Sequence, residues 1–293
     1  MKKYFCLILC TSALIIIPLL LPGQQKQSAK DSSIIVMTYN IRFNNPDDGT
    51  NSWPYRKERL MNMVKNQDSD LIGLQEALKD QVADLSDFLK DYEWTGVGRD
   101  DGKEKGEYAI IFFRKNRFHK LDAGYFWLSE KPEIPGSIGW DADCTRIVTW
   151  IKLKDKKTVA EIFLFNTNFD HSGEKARTES AKLMLRRIRG IAGDKKVIIT
   201  GDFNCSENSV PYNIITGSEK DYYFEDCRNK SESKPTGQNF SYSGFEAGKT
   251  KGELIDFIFV RNIKKVLTHN IIDESYNGFY LSDHLPVVVK LIP

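Results

Sequence analysis

Gly201-Asp202-Phe203-Asn204 sets a carboxylate and a carboxamide two residues apart, directly behind the run Val197-Ile198-Ile199. A β-branched run of this kind reads as a buried strand, and residues at i and i+2 of an extended chain point to the same side. Two hard oxygen donors so placed hold a water, a hard cation, or both. The competing reading is a turn, because Gly, Asp and Asn all favour turns and Asp and Asn cap helices. Other strand-like runs end in the same way. Ile34 to Ile41 contains Tyr39-Asn40, Leu71 to Leu74 runs into Gln75-Glu76, and Val159 to Phe169 closes on Asn166-Thr167-Asn168-Phe169, followed by Asp170-His171. Glu107-Tyr108 precedes Ala109 to Phe113, Arg146 opens Ile147 to Leu153, and Ser282-Asp283-His284 leads into Leu285 to Ile292. Asp256 is set among Leu254, Ile255, Phe257 and Ile258. A carboxylate buried there requires a partner; His284 is the natural one, and an Asp–His pair fixes the imidazole tautomer and favours imidazolium.

Singly, each of these has an ordinary explanation: Asn40 as a turn cap, Glu76 as a helix cap, Asp283 with His284 as a solvated loop. Together they are strands of one sheet whose ends can point Asn, Glu, Asp and His into one cleft. Carboxylate and carboxamide oxygens suit Mg²⁺ or Mn²⁺ rather than Zn²⁺. Phosphoryl transfer needs this kit: an activated water, a cation on the phosphate, and donors for the charge of the transition state.

The elements that must position these groups can be read from the apolar pattern. Helices are predicted after Ser52, with Pro54 in the first turn and Leu60, Met61 and Val64 on one face, and over Leu78, Val82, Leu85, Phe88 and Leu89. A third follows Glu174, through Ala176, Ser180, Leu183, Met184, Ile188 and Ile191, and is closed by Gly193. Hairpin-like neighbours (147–153 with 159–169) amid interspersed helices argue for a mixed sheet system covered by helices, not an all-parallel sheet. The Gly-, Ser- and Lys-rich stretch 229–253 is the longest irregular segment, and that length within a compact domain predicts a functional loop.

Residues 1–23 read as an export signal, with Lys2 and Lys3 before an apolar run, and 24–32 as a polar tether to one domain over 33–293. The expected place of work is therefore outside the cytoplasm: periplasmic, secreted or at the cell surface, without a lipoprotein anchor. The chain carries 42 basic and 40 acidic residues; loss of Lys2 and Lys3 with the signal leaves the two balanced. No global basic field and no Lys/Arg stripe exist to gather long nucleic acid, which weakens a processive nuclease but not chemistry on a small phosphate. Cys144, Cys205 and Cys227 remain in the mature chain, an odd number without zinc-type spacing.

The motifs Tyr39-Asn40, Leu74-Gln75-Glu76, Gly201-Asp202-Phe203-Asn204, Ile255-Asp256-Phe257 and Ser282-Asp283-His284 occur in the order of a known pattern. Over about residues 34–292 the chain resembles the endonuclease/exonuclease/phosphatase superfamily, the deoxyribonuclease-I-like phosphoesterases. The resemblance implies an α/β fold, a four-layered α/β/β/α sandwich of two mixed sheets with the site where they open. It implies Mg²⁺, with Mn²⁺ as the alternative, held by Glu76 with Asn40 beside it and Asp283 near the same cation or its waters. Asp202 would orient and deprotonate the attacking water, Asn204 would hold water or phosphate, and His284, paired with Asp256, would stabilise the transition state. Arg146 and Tyr108 look like phosphate contacts, supported by Glu107. The family usually places a His where this chain has Asn168; His171, three residues on, is the other candidate for that contact.

Phe126-Trp127-Leu128-Ser129-Glu130 and Gly139-Trp140-Asp141 are similar to an exported bacterial branch resembling the carbon-catabolite-repressor-type deadenylases. That implies a phosphodiesterase or 3′–5′ exonuclease acting on a nucleotide or single-stranded nucleic acid; the chain is expected to act as a monomer. A phosphatase or lipid-headgroup phosphodiesterase on the same fold is the alternative, and a catalytically weak binding protein the third. Trp127, Trp140, Phe240, Tyr242 and Phe245 either stack a base or sugar or pack the loops down.

Overall fold

The computed structural model describes residues 32–217 and 222–293, together with Met1. The chain divides into Met1–Asp31 and Ser32–Pro293, and every element named below belongs to the second unit. The predicted signal and tether, apart from Met1 and Ser32, lie outside the described residues. In chain order the strands are β1 (Ile34–Asn40), β2 (Leu71–Ala77), β3 (Tyr92–Thr95), β4 (Tyr108–Arg114), β5 (Phe118–Trp127), β6 (Ile147–Asp155), β7 (Glu161–Asn168), β8 (Lys196–Asp202), β9 (Glu225–Asp226), β10 (Thr236–Gly237), β11 (Asp256–Arg261), β12 (Lys265–Ile271), β13 (Ser275–Tyr276), β14 (Phe279–Tyr280) and β15 (Val287–Ile292). The helices are α1 (Trp53–Asn66), α2 (Lys79–Phe88), α3 (Glu174–Ala192), α4 (Val210–Gly217) and the single turn α5 (Cys227–Lys230).

Two mixed sheets form, in the orders β10-β12-β15-β1-β2-β4-β3 and β5-β6-β7-β8-β11-β9. Each has a parallel pair at its centre, β1 with β2 and β7 with β8, flanked by antiparallel neighbours, and the short β10 adds a second parallel pairing with β12 at the edge of the first sheet. The pleat explains the layering. Ile34, Val36, Leu71, Val287 and Val289 of the first sheet face Ile162, Leu164, Ile198, Ile258 and Val260 of the second in one core between the sheets. Their alternate neighbours Met37, Tyr39, Ile72, Leu74 and Val288 point outward beneath α1 and α2. Phe163, Phe165, Val197, Ile199, Phe257 and Phe259 point outward beneath α3 and α4. The result is the expected four-layered α/β/β/α sandwich. Strands buried on both faces read as unbroken apolar runs, and each fully buried Val, Leu, Ile or Phe contributes about 1.5–3 kcal/mol.

The inner face changes character along the strands. After the apolar layer comes a buried polar one. Gln75 donates to Asn166 Oδ1 at 2.6 Å and to Thr38 at 3.0 Å, and Thr200 donates to Asn166 Oδ1 at 3.0 Å. The Asn166 amide in turn donates to the carbonyls of Leu74 and Ile110 at 2.8 and 2.9 Å, so it ties the sheets together. The sheets meet closely at Gly73, where a Cβ would lie 2.2 Å from Thr200 Oγ1 and 2.6 Å from Asn166 Oδ1. Two residues further along each strand the inner face presents Asn40, Asn168 and Asp202, and Asp256 lies opposite Asp202 in register.

Candidate active site

Asn40 is the hinge of the site. Its backbone ends β1, its Oδ1 accepts the Arg42 N–H at 3.0 Å, and its Nδ2 donates to Glu76 Oε1 at 2.9 Å and Asp202 Oδ2 at 3.0 Å. The orientation is fixed by the Arg42 N–H, which needs an acceptor. Its amide nitrogen, not its oxygen, faces the carboxylates, and it clamps one sheet's acid to the other's.

Glu76 follows Gln75 and by simple alternation belongs on the helix side. The β2–β4 register shifts between Leu74 and Ala77, and Glu76 has φ +63°. A bulge re-aims a side chain in this way, and here it turns the carboxylate into the cleft, where Phe43 N–H donates to Oε2 at 3.2 Å. Burial opposes its charge, but Asn40, His284 and Arg42 outweigh that and hold the carboxyl below its usual range.

Asp202 ends β8. Asn204, at φ +46°, turns back so that its N–H donates to Asp202 Oδ1 at 2.9 Å, while its amide donates to Phe169 O and Asn168 Oδ1 at 2.9 and 3.2 Å. The turn and the site are thus the same feature. Burial, with the Asp256 charge added, pushes Asp202 up to about 7, against the pull of His284, the Asn204 N–H and Asn40. Asp256 Oδ2 and His284 Nδ1 lie 2.8 Å apart, both groups being buried, and His284 Nε2 is 3.8 Å from Asp202 Oδ2. Burial disfavours the imidazolium, but Asp256 and Asp202 overcome it and hold His284 well above its ordinary pKa. Ser241 Oγ accepts the N–H groups of Ile255 and Asp256 at 3.0 Å, which anchors the start of β11.

The cleft above these groups has a volume of about 460 Å³ and is lined by Glu76, Asp202, Asn204, Asp283, His284, Arg146 and His171 of the predicted set. Arg146 donates from Nε to Asp170 Oδ2 at 3.3 Å, and its Nη2 lies 2.9 Å from His171 Nδ1 on the rim. Asn168 sits at the floor with its Nδ2 buried and without a protein partner, in a small hollow shared with Glu76, Arg99 and Arg146. Tyr108 is placed otherwise than expected. The pleat of β4 sets it with Ile110 and Phe112 on the helix side and its hydroxyl donates to Lys103 O at 3.2 Å, so it borders the small hollow of Asn168 and Arg146 rather than the open cleft.

Glu76 and Asp283 offer carboxylate oxygens to the same cleft. Burial raises Asp283, and the Glu76 charge adds to that. Two hard anionic donors under mutual repulsion fit a divalent Mg²⁺- or Mn²⁺-type cation. The cluster Asp202–Asp256–His284 also brings ligand atoms together, but its imidazole Nδ1 is engaged by Asp256. Among the described residues Cys144, Cys205 and Cys227 are free thiols.

The sequence profile of the Endonuclease/Exonuclease/phosphatase family matches residues 37–284. The chain belongs to this family. A family structure from Bacteroides vulgatus is 41% identical, covering 88% of this chain and 98% of that one with a TM-score of 0.84. A mannosyl-6-phosphatase of Bacteroides thetaiotaomicron is 34% identical, covering 89% and 100% at a TM-score of 0.84. The human Nocturnin catalytic domain is 17% identical, covering 90% and 94% at a TM-score of 0.70, a likeness of fold.

Within the family frame, sequence reasoning passed over Arg42, Phe43, Arg99 and Glu253, all of which line the cleft. Arg42 carried no strand signal, because β1 ends at Asn40 and Arg42 itself has φ +57°. Its guanidinium pairs with Asp48 and lies 3.8 Å from Asp283. Arg99 forks onto Glu107 at 2.6 and 2.9 Å; burial pushes Glu107 up to about 7, partly offset by Arg99. The flagged aromatics separate. Phe240, Phe245 and Trp127 are buried, Trp140 packs against the α3 side, and Tyr242 stays exposed with its ring edge-on to His284 at 5.0 Å.

Proposed function

We propose that the chain is a Mg²⁺-dependent phosphoric ester hydrolase that cleaves small phosphate esters by in-line attack of a water activated by Asp202. The observation that carries this is the Asp202 carboxylate itself: buried at the cleft floor, gripped by Asn40 and the Asn204 N–H, and facing the Asp256-supported His284. Mg²⁺ held by Glu76 and Asp283 would polarise a phosphate oxygen and neutralise its charge. Asp202 takes the proton of the attacking water as the new P–O bond forms and the ester P–O bond breaks. His284, kept charged by Asp256, lies where negative charge grows on the phosphoryl oxygens. Arg146, the free Asn168 amide and His171 supply donors on the opposite wall.

A confined cleft and a mature chain of balanced charge favour a small substrate over long nucleic acid. Similarity to the mannosyl-6-phosphatase favours a sugar phosphate monoester within that class. The exposed Tyr242 beside His284 supports the second reading, a nucleotide or single-stranded substrate stacked at the mouth. In either case the enzyme works as an exported monomer.

Purified mature protein assayed on a hexose 6-phosphate, an activated diester and an oligonucleotide, with and without Mg²⁺, tests this. Chelator should abolish hydrolysis, Mg²⁺ or Mn²⁺ should restore it, and Glu76→Gln should raise the Mg²⁺ required. Full activity in chelator after exhaustive dialysis removes the metal assignment; binding of all three without turnover removes the hydrolase.

A further inference from the structure

Hydrolysis at Asp202 leaves most of the 229–253 loop without a task, and it leaves a cavity unexplained. Beside the cleft lies a basin of about 600 Å³, larger than the cleft's 460 Å³. Asn204 and Glu253 line both, so the two adjoin across these side chains. One wall is the start of α3, with Glu174, Arg177 and Thr178; the other is the segment after β8, with Ser206 and Ser209. Val210, Pro211 and Leu254 give an apolar strip between them, and Val210 is 61% exposed. The loop's end is folded tightly over the junction. A Cβ at Gly252 would lie 2.4 Å from the Tyr242 carbonyl, and Glu253 O accepts the N–H groups of Ser241 and Tyr242 at 2.9 Å. That leaves the Glu253 side chain exposed at the saddle, beside Tyr242.

We propose that this second basin binds the carbohydrate part of the substrate, so that the preferred ester is a phosphate on a saccharide longer than one sugar. The inference rests on the hydrolase reading. Binding sites for whole small ligands run to roughly 300–1,000 Å³, so the cleft alone accommodates a phosphorylated monosaccharide and the basin is surplus to it. A pyranose presents hydroxyls around its edge and C–H groups on its faces. Glu253, Ser206, Ser209 and Thr178 match the first; the Val210–Leu254 strip and the Tyr242 ring match the second. Two acids against one Arg177 make a poor seat for a polyanion, and the polar rim makes a poor seat for an acyl chain.

Kinetics on wild type and Thr178→Trp, using 4-nitrophenyl phosphate, a hexose 6-phosphate and a trisaccharide ending in the same 6-phosphate, test the proposal. Calorimetry with the unphosphorylated trisaccharide accompanies them. The trisaccharide ester should exceed the hexose ester in kcat/KM by about tenfold, which one or two added hydrogen bonds supply. Thr178→Trp should erase that ratio and weaken binding of the neutral trisaccharide. Equal kcat/KM for the two esters in wild type, a proportional fall in both with Thr178→Trp, or a larger gain for a 5′-phosphorylated oligonucleotide overturns it. If no ester is hydrolysed, the hydrolase reading falls instead and the titration decides the basin: binding weakened by Thr178→Trp supports it, and no binding overturns it.

Discussion

Asp256→Asn is the sharpest perturbation the site allows, because it changes one charge and almost no volume. In the folded chain Asp256 Oδ2 accepts the hydrogen bond of His284 Nδ1 at 2.8 Å, and its Oδ1 has no partner. The asparagine keeps an acceptor for that N–H but not the negative charge that holds the imidazolium. A hydrogen bond to a charged group contributes about 1.5–3 kcal/mol and a neutral one about 0.5–1.5. The difference, about 1–2 kcal/mol, becomes a loss of about 5–30-fold in kcat/KM if His284 acts on the transition state through its charge. His284→Ala should cost more activity and also stability, about 3–5 kcal/mol, because it strands the Asp256 carboxylate in the core. The double variant should be no less active than His284→Ala and more stable than it, since the stranded charge is gone. The assay is steady-state hydrolysis at saturating Mg²⁺ with urea unfolding of all four proteins. Additive losses of activity around the cycle would show that the two residues do not act as a unit, and a His284→Ala protein as stable as Asp256→Asn would refute the burial argument.

Two further outcomes are expected from packing away from the chemistry. Burial, aided by Arg228, pushes His269 down to about 4. A folded pKa below the unfolded value of about 6.5 leaves stability intact above pH 6.5 and removes it as pH falls toward 4. That amounts to about 3 kcal/mol, which urea melts should show in wild type relative to His269→Leu between pH 7.5 and pH 4; parallel losses in the two proteins count against it. Gly73→Ala drives a methyl into Thr200 and Asn166, both locked in hydrogen bonds, and should cost about 1–3 kcal/mol with a fall in kcat. A variant unchanged in both melting temperature and kcat would show that the sheets separate there without penalty.

The central strands were legible because burial on both faces makes them unbroken apolar runs. The strands β3, β5 and β12 were not: most of β5 is exposed or half-exposed, and its sequence carries little apolar signal. The site groups that end strands were legible for the same reason as the strands. Tyr108 was misplaced because its neighbour Glu107 does face the cleft, and only the pleat distinguishes them. Glu76 was found by motif, while the bulge that turns it inward has no signature in Leu74-Gln75-Glu76. Arg99 and Glu253 reach the cleft from loops, where side-chain direction is set by tertiary packing rather than by periodicity.

Asn40 and Glu76 stand on one sheet, Asn168, Asp202 and Asp256 on the other, and the Asn40 amide is the bridge between them. The catalytic spacing is therefore a caliper reading of the gap between two slabs, with Gly73 as the fulcrum. A tilt of one slab too small to break any strand pairing would move the cation's acids away from the water's base, so the melting of activity should precede the melting of the fold.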